Sequence, residues 1–108
     1  MMPGTMIFID TDGHRDERTL KAAPKLEELQ KMVGGYIQLV PLFSRVAHSS
    51  GMQKCVVLCN EDGKNLNMPL NREATRLWQL SAGKAPIQDV LVGPIVILFG
   101  DPSFMEAL

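Results

Sequence analysis

The sequence predicts an α+β sandwich, a single domain in which about four strands form a mixed or antiparallel sheet and two helices cover one face of that sheet. Two segments with helical periodicity and several short β-prone runs predict this class. Their order along the chain is β, α, β, β, α, β. The clearest boundary lies in residues 25–42, KLEELQKMVGGYIQLVPL, where a helix ends at a glycine pair and a strand follows at once.

Length and composition are those of one globular domain. The chain has 108 residues, of which 45% are apolar and 21% are charged, so we expect it to fold around one core. We divide it into an N-terminal strand with a polar extension (residues 1–24), a core (residues 25–101) and a tail (residues 102–108). The net charge of −1 leaves no surplus of basic residues for phosphate contacts, which argues against DNA or RNA as a partner.

The sequence also predicts a cellular location. The opening residues, MMPGTMIFID, lack the basic start and apolar region of a signal peptide, and no stretch reaches the roughly 18 apolar residues that span a bilayer. We therefore expect a cytoplasmic protein without a membrane partner. Cys55 and Cys59 belong to the apolar run CVVLC, and in an extended strand their Cα atoms lie about 13 Å apart, too far for a disulfide. Both are expected to be free, buried thiols.

The N-terminal region begins with a short strand. Residues 6–9 are β-prone, and residues 10–13, DTDG, end this strand in a turn. Residues 14–21 are mostly charged, so we expect them to form an exposed extension.

The first helix has start and stop signals. Pro24 suits the first turn of a helix, and Gly34 suits the left-handed conformation that ends one. Apolar residues at helical spacing share one face of this segment: Leu26, Leu29, Met32 and Val33. Residues 36–42 then predict a strand.

The middle of the chain predicts one strand between two irregular segments. Residues 43–53 show no periodicity and contain several serines, which favours a flexible connection. Residues 54–59 predict a strand, and its CVVLC run is apolar on both faces, as in a central strand. Residues 60–63, NEDG, predict a turn, and a polar loop follows over residues 64–70.

The second helix is predicted over residues 72–80, with Asn71 as its N-cap. Its apolar face contains Trp78, which we expect in the core; the alternative is an aromatic ring that stacks on a ligand. Residues 81–87 predict a loop.

The C-terminal region predicts one long strand and one helical turn. Residues 89–101, DVLVGPIVILFGD, are rich in β-branched residues, and Gly93 and Pro94 predict a bulge or bend inside the strand. Ser103 and Glu106 have capping-box spacing, which predicts a final helical turn.

Residues 7–13, IFIDTDG, resemble the first motif of haloacid-dehalogenase-type phosphatases. The resemblance implies Asp10 as the nucleophile and Asp12 as the acid and base, with Asp101 imitating a later acidic motif. The sequence departs from that pattern because His14 replaces the usual threonine and 108 residues are too few for the family's core. The alternative is an Asp/Gly turn without chemistry.

No metal or cofactor site is expected. His14 and His48 are the only histidines and stand in separate polar stretches, without the spacing of paired metal ligands. We expect both to be solvated loop residues.

Four segments together resemble a family of small bacterial, plasmid and phage proteins that is known as a domain of unknown function. They are LEELQKMVGGYIQLV, CNEDGK, PLNREATRLW and DVLVGPIVILFGD, which span residues 25–101. The family pattern is a helix ending in Val-Gly-Gly-Tyr, a strand, an Asn-Glu-x-Gly-Lys turn, a Pro-x-Asn segment and a closing strand with an internal glycine. The resemblance implies a fold and an association with mobile elements, but no activity or catalytic residue.

Polar residues that recur in this pattern are the candidate ligand-binding residues: Tyr36, Asn60, Glu61, Lys64, Asn71, Arg72 and Thr75. They come from turns and the start of a helix. One interpretation is that they only cap and turn the chain. The other is that Lys64 and Arg72, close to free amides at a helix start, make a corner that favours an anion.

Three functional hypotheses follow. The leading hypothesis is a non-enzymatic phage or mobile-element accessory protein that self-associates and binds a small anionic ligand, such as a host nucleotide signal, in the host cytoplasm. The alternative is a protein-interaction module that inhibits or adapts a host protein. An Asp-dependent phosphatase is a third reading. We expect a homo-oligomer because the predicted final strand is long and apolar, and because two helices in a small domain do not easily cover both faces of a sheet.

Overall fold

The computed structural model describes residues 3–49, 51–85 and 87–108. The elements found in these ranges are, in chain order, β1 (Gly4–Ile9), β2 (Arg15–Leu20), α1 (Leu26–Val33), β3 (Ile37–Leu39), β4 (Arg45–His48), β5 (Gly51–Lys54), β6 (Val56–Asn60), α2 (Arg72–Ala82), β7 (Ile95–Gly100) and α3 (Pro102–Glu106).

The main structure is a five-stranded antiparallel sheet in the order β2-β1-β7-β6-β3. Strand β7 lies at its centre because Ile95 to Phe99 are all buried, and only a strand covered on both faces accommodates such a run. The predicted α+β class and an antiparallel sheet are therefore confirmed, with five strands in the main sheet.

The two longer helices pack on opposite faces of the sheet. Leu29 and Val33 of α1 pack with Leu98, together with Phe104 of α3. Ala74 and Trp78 of α2 belong to the other core cluster. The prediction of two helices on one face is wrong because consecutive strand residues point to opposite faces, and β1 and β7 carry apolar residues at consecutive positions.

This arrangement also removes the basis on which self-association was expected. The final strand is the best-covered strand of the sheet, and the long strand predicted over residues 89–101 is shorter. It starts at Ile95, after Gly93, whose φ is +75°. Before this bend, Val92 forms an isolated bridge with Leu70.

Strand β2 was not predicted. Its side chains are mostly exposed and charged. The segment therefore lacks the alternation of apolar and polar residues that indicates a strand, and it was expected to be a polar extension. Backbone pairing with β1 holds the strand in place, from Ile9 opposite Arg15 to Gly4 opposite Leu20. The Asp-x-Asp-Gly segment is the turn that joins the two strands.

The segment expected as a flexible connection contains the β4–β5 hairpin. Val46 is buried in the α2-side core, so the hairpin adds cover to that face. His48 is a packed residue and not a solvated one: its Nε2 contacts the Glu17 carboxylate, and its ring lies edge-on to Phe99 with the centroids 5.0 Å apart. Ser50 lies outside the described residues.

Helix ends agree with the sequence signals at two of four places. Pro24 does not lie in the first turn of α1, because Lys25 is the N-cap and the helix begins at Leu26. Gly34 ends α1 with φ +82°, and Asn71 caps α2 by accepting a hydrogen bond from the Ala74 amide. The final turn α3 is also present, but Asp101 caps it by accepting from the Ser103 amide. The predicted Ser103 and Glu106 box is therefore wrong by two residues.

Cys55 and Cys59 are free, as predicted. Within the described ranges no helix is long and apolar enough to cross a membrane.

Candidate functional site

A cleft of about 240 Å³ opens on the α2 face of the sheet, at the edge formed by β3. Residues 38–41 form one side and residues 89–92 form the other. Cys59 and Trp78 also line it, and the turn after β6 closes one end. We call this space the β3 cleft.

The apolar wall of the β3 cleft is rigidly built. Trp78 is 6% exposed, and its Nε1 donates a hydrogen bond of 2.7 Å to the carbonyl oxygen of Pro41. This bond fixes the indole beside the chain that leaves β3. Val40 and Leu91 are buried next to it. Trp78 is therefore a core residue, as expected, and one part of it also faces the cleft.

The charged rim of the β3 cleft contains both signs. Lys64 Nζ contacts the Asp89 carboxylate across the opening, and Glu61 also lines the cleft. The side chains of Lys64 and Asp89 are 58% and 52% exposed, so water screens the pair. The hydrogen bond from Lys64, with a second one from the Val90 amide, lowers the pKa of Asp89.

Asn60 lines the cleft, but its carboxamide forms hydrogen bonds to the protein backbone. Nδ2 donates to the carbonyl oxygen of Val33 at 3.1 Å, and Oδ1 accepts from the Asp62 amide at 2.8 Å. It therefore joins the end of α1 to the turn after β6. A Cβ at Gly35 would lie 2.9 Å from Asn60 Nδ2, so the glycine pair also permits this close approach.

Asn71 and Thr75 position the far wall of the cleft. Asn71 is completely buried, and its Nδ2 donates to the carbonyl oxygens of Ile9 at 3.0 Å and Gly93 at 2.9 Å. Thr75 Oγ1 accepts from the Leu91 amide at 2.9 Å and donates to the Asn71 carbonyl at 2.8 Å. Together these bonds hold residues 91–93 against α2.

The structure brings three of the seven candidate residues, Asn60, Glu61 and Lys64, to the β3 cleft. Tyr36 precedes β3 and is 69% exposed, and its carbonyl oxygen accepts from the Glu61 amide at 2.8 Å. Arg72 is exposed in the first turn of α2 and does not line the cleft. Whether any of these residues binds a ligand stays a prediction.

Sequence reasoning missed Asp89, Leu91 and Gln38 as cleft residues. Asp89 contacts Lys64 across 25 positions of sequence, and no local pattern indicates that contact. Leu91 is part of a continuous apolar run, which predicted a strand. Gln38, Asp89 and Leu91 are brought together only by the tertiary fold.

Cys59 is the half-buried thiol of the β3 cleft. Burial raises its pKa, and the positive charge of Lys64 acts in the opposite direction. Burial raises the pKa of Cys55 to about 11. Both thiols are therefore protonated at neutral pH, which does not favour a nucleophilic role.

The residues of the phosphatase-like motif are not brought together. Asp10 accepts from the Thr11 amide and Asp12 accepts from the His14 amide, both at 2.8 Å, as in a turn. Strands β1 and β7 are antiparallel, with Ile9 opposite Ile95. Asp101 therefore follows the opposite end of the sheet, roughly 20 Å from Asp10 by strand length. In the described part of the chain no group of three His, Cys, Asp or Glu residues is arranged to hold a metal ion.

Comparison with known proteins gives a family but no characterised relative. No curated protein and no solved structure matches the chain significantly. A family described as a domain of unknown function, DUF3846, matches residues 4–105, which include every element of the main sheet and both longer helices. The chain therefore belongs to the DUF3846 family.

Proposed function

We propose that this protein is a non-enzymatic accessory protein that binds a small anionic ligand in the β3 cleft. The observation that carries the proposal is one cleft that combines an apolar wall with the amine of Lys64. Ligand pockets commonly have this composition, in which apolar walls provide contact area and a few polar groups fix the orientation. Among the described residues that line the cleft, Lys64 is the only basic one.

The anionic group of the ligand would replace the Asp89 carboxylate as the partner of Lys64. An exposed ion pair contributes less than about 1 kcal/mol, so opening it costs little. Once displaced, Asp89 stays on the rim with Glu61, and these two carboxylates disfavour a second anionic group in the cleft. The charges therefore favour a ligand with one anionic group.

The volume of the cleft further limits the class of ligand that it can bind. A volume of about 240 Å³ is below the 300–1,000 Å³ of typical small-molecule sites. A planar ring against Val40, Trp78 and Leu91, with one phosphate at Lys64, matches both the wall and the charge. The proposed ligand class is a mononucleotide or a molecule of similar size that stays partly exposed.

Thermal unfolding in the presence of mononucleotides tests this proposal, with the matching nucleosides as neutral controls. A ligand that binds the folded state raises the melting temperature, and the rise grows with the logarithm of the ligand concentration relative to its Kd. We expect at least one mononucleotide to stabilise the protein more than its nucleoside. The Lys64→Gln variant should lose this stabilisation, while Lys31→Gln, which removes an exposed lysine from α1, should keep it. Equal shifts in both variants would contradict a role for Lys64.

A second candidate function is a protein-interaction module. Three apolar side chains near the cleft are more than half exposed: Tyr36 at 69%, Leu39 at 60% and Leu42 at 57%. Such a surface suits an extended segment of a host protein that pairs with the edge of β3. A stoichiometric complex of purified components that Tyr36→Lys disrupts would support this function, and unchanged binding by that variant would contradict it.

The family resemblance supports a role in a phage or other mobile element, with the protein acting in the host cytoplasm. We propose in addition that the protein self-associates. The surface for this is an uncovered sheet edge and not the final strand, which is buried on both faces.

A further inference from the structure

Two strands form the edges of the main sheet, and they differ in charge. Strand β2 carries four charged residues in RDERTL. Strand β3 carries none in IQL, and the whole segment from Met32 to Ser44 lacks Asp, Glu, Lys and Arg. Charged residues on edge strands prevent pairing with other chains. The β2 edge has this protection and the β3 edge does not.

The backbone of β3 presents hydrogen-bonding groups outward at two residues. Tyr36 accepts from the Glu61 amide and Val40 donates to the Val57 carbonyl, so both residues bond inward to β6. Bonding direction alternates along an antiparallel strand. Gln38 therefore also bonds inward, opposite Cys59. The amides and carbonyls of Ile37 and Leu39 then point away from the sheet.

We propose that a second copy of this chain pairs with this edge, antiparallel and in register about Gln38. In that register Ile37 lies opposite Leu39 of the other copy, and the same pair repeats across the two-fold axis. Each pair exchanges two backbone hydrogen bonds, since both of its residues point outward. The edge is self-complementary because a single register satisfies all the outward groups of both copies and places no charges opposite each other.

Side chains support the same partner. Ile37 and Leu39 point to the α1 face, because alternate residues share a face and Ile37 packs with the α1-side core. Leu39 is 60% exposed in the single chain, and the symmetric register covers it with Ile37 of the second copy. The result is a continuous sheet made of two five-stranded sheets.

This pairing also places the two β3 clefts side by side. Gln38 and Val40 point to the α2 face, where the cleft lies. A two-fold axis perpendicular to the sheet keeps both clefts on that same face. Cys59 of one copy lies three strand spacings from Cys59 of the other, about 14 Å. The inference rests on the proposed self-association but not on the proposed ligand.

Sedimentation equilibrium tests self-association directly, using the full chain at concentrations from about 1 µM to about 1 mM, since a short strand pair forms a small interface. We expect a reversible dimer. Leu39→Lys should weaken the dimer about tenfold or more, by placing a charge at the centre of the interface. Leu80→Lys is the matched control, because Leu80 is 64% exposed on α2, and it should change the dimer less than about twofold.

A cysteine at the two-fold axis tests the register. Facing residues of a pair without direct hydrogen bonds have Cα atoms about 4.5 Å apart, within the range of a disulfide. In a background with Cys55→Ser and Cys59→Ser, which removes the native thiols and the strand neighbour Cys59, Gln38→Cys should therefore form a covalent dimer under mild oxidation, and Thr19→Cys on the exposed β2 edge should not. Circular dichroism of each variant checks that it folds.

The outcomes separate the claims. A monomer at every concentration overturns both the self-association and its interface. A dimer that Leu39→Lys leaves intact, or that Gln38→Cys fails to cross-link, overturns the β3 interface alone. Mononucleotide binding by the unsubstituted protein, at concentrations where it is monomeric, would show that the ligand proposal does not depend on the dimer.

Discussion

The carboxamide of Asn71 joins the start of α2 to the end of β1 by a hydrogen bond of 3.0 Å to the carbonyl oxygen of Ile9. The same Nδ2 donates to Gly93, and Oδ1 caps the helix at Ala74. One buried side chain therefore fixes α2, the first strand and the bend before β7 relative to each other. The far wall of the β3 cleft depends on this arrangement.

Replacement of Asn71 should destabilise the protein strongly. Asn71→Ala removes the cap and leaves two carbonyl groups without their donor, at a cost of about 2–4 kcal/mol. Denaturant unfolding measures this change. Asn65→Ala, at an exposed residue of the turn after β6, should change the free energy of unfolding by less than about 0.5 kcal/mol. Equal effects of the two substitutions would contradict the role of Asn71.

Asn71→Asp should separate the contribution of the two donated hydrogen bonds to stability from that of the accepted cap bond. An aspartate keeps the cap acceptor but loses both donors, and burial raises its pKa in the folded state. The folded state then binds more protons than the unfolded state, so the stability of this variant should fall as the pH rises through the acidic range. A stability that rises with pH relative to the unsubstituted protein would contradict this explanation.

Gly93 should tolerate no side chain. Its φ is +75°, and a Cβ would lie 2.5 Å from the sulfur of Met68. Gly93→Ala is expected to cost about 1–3 kcal/mol, from the left-handed backbone and the close contact together. At Gly13, which also has a positive φ but nothing within 4 Å of the added Cβ, alanine should cost less. Thermal unfolding of the two variants measures the difference, and a larger loss at Gly13 would rule out the close contact as the cause.

The pKa of Asp89 should report the state of the cleft. The hydrogen bond from Lys64 is the largest cause that lowers this pKa, and the hydrogen bond from the Val90 amide is the next. The stabilisation from this carboxylate is thus present above its unfolded pKa and lost as the pH falls through the lower folded pKa. Lys64→Gln should raise the pKa of Asp89 without restoring the ordinary value, because the Val90 bond remains. Carboxyl chemical shifts followed against pH measure this, and an unchanged pKa would show that the ion pair does not persist in solution.

Alkylation of Cys59 should depend on Lys64. In a Cys55→Ser background, Cys59 is the only thiol, and its thiolate fraction sets the reaction rate. Lys64 acts to lower the pKa of Cys59, so Lys64→Gln should slow the reaction with iodoacetamide at neutral pH. Lys31→Gln should leave the rate unchanged. A faster reaction in Lys64→Gln would mean that Lys64 shields the thiol more than it promotes ionisation.

The two longer helices were predictable because their signals are local. Gly34 and Asn71 each act within one turn of the helix that they end or begin. The distribution of the helices over the two sheet faces was not predictable in the same way. It depends on which strands are neighbours, and the apolar residues of β1 and β7 fit a helix on either face.

The missed strands have a common cause. Strand β2 and the β4–β5 hairpin are held mainly by backbone pairing, so most of their side chains are exposed and give no period-two signal. Sequence patterns detect burial, and these strands bury little.

At the candidate site, Lys64 was predictable from a turn that resembles the family pattern, but its contact with Asp89 was not. Asn60, Asn71 and Thr75 were also selected from that pattern, and the structure shows their hydrogen bonds to the backbone of neighbouring elements. A sequence pattern selects polar residues with structural and binding roles alike. Only the partners of each side chain distinguish the two roles.

Chemical-shift mapping of the isotope-labelled protein with a panel of mononucleotides tests the central claim most directly. Saturable shifts that cluster at Gln38, Lys64, Asp89 and Leu91, and that disappear in Lys64→Gln, are the result expected for anion binding in the β3 cleft. No shift with any mononucleotide, or shifts that cluster at the Asp10 to His14 turn, would contradict it.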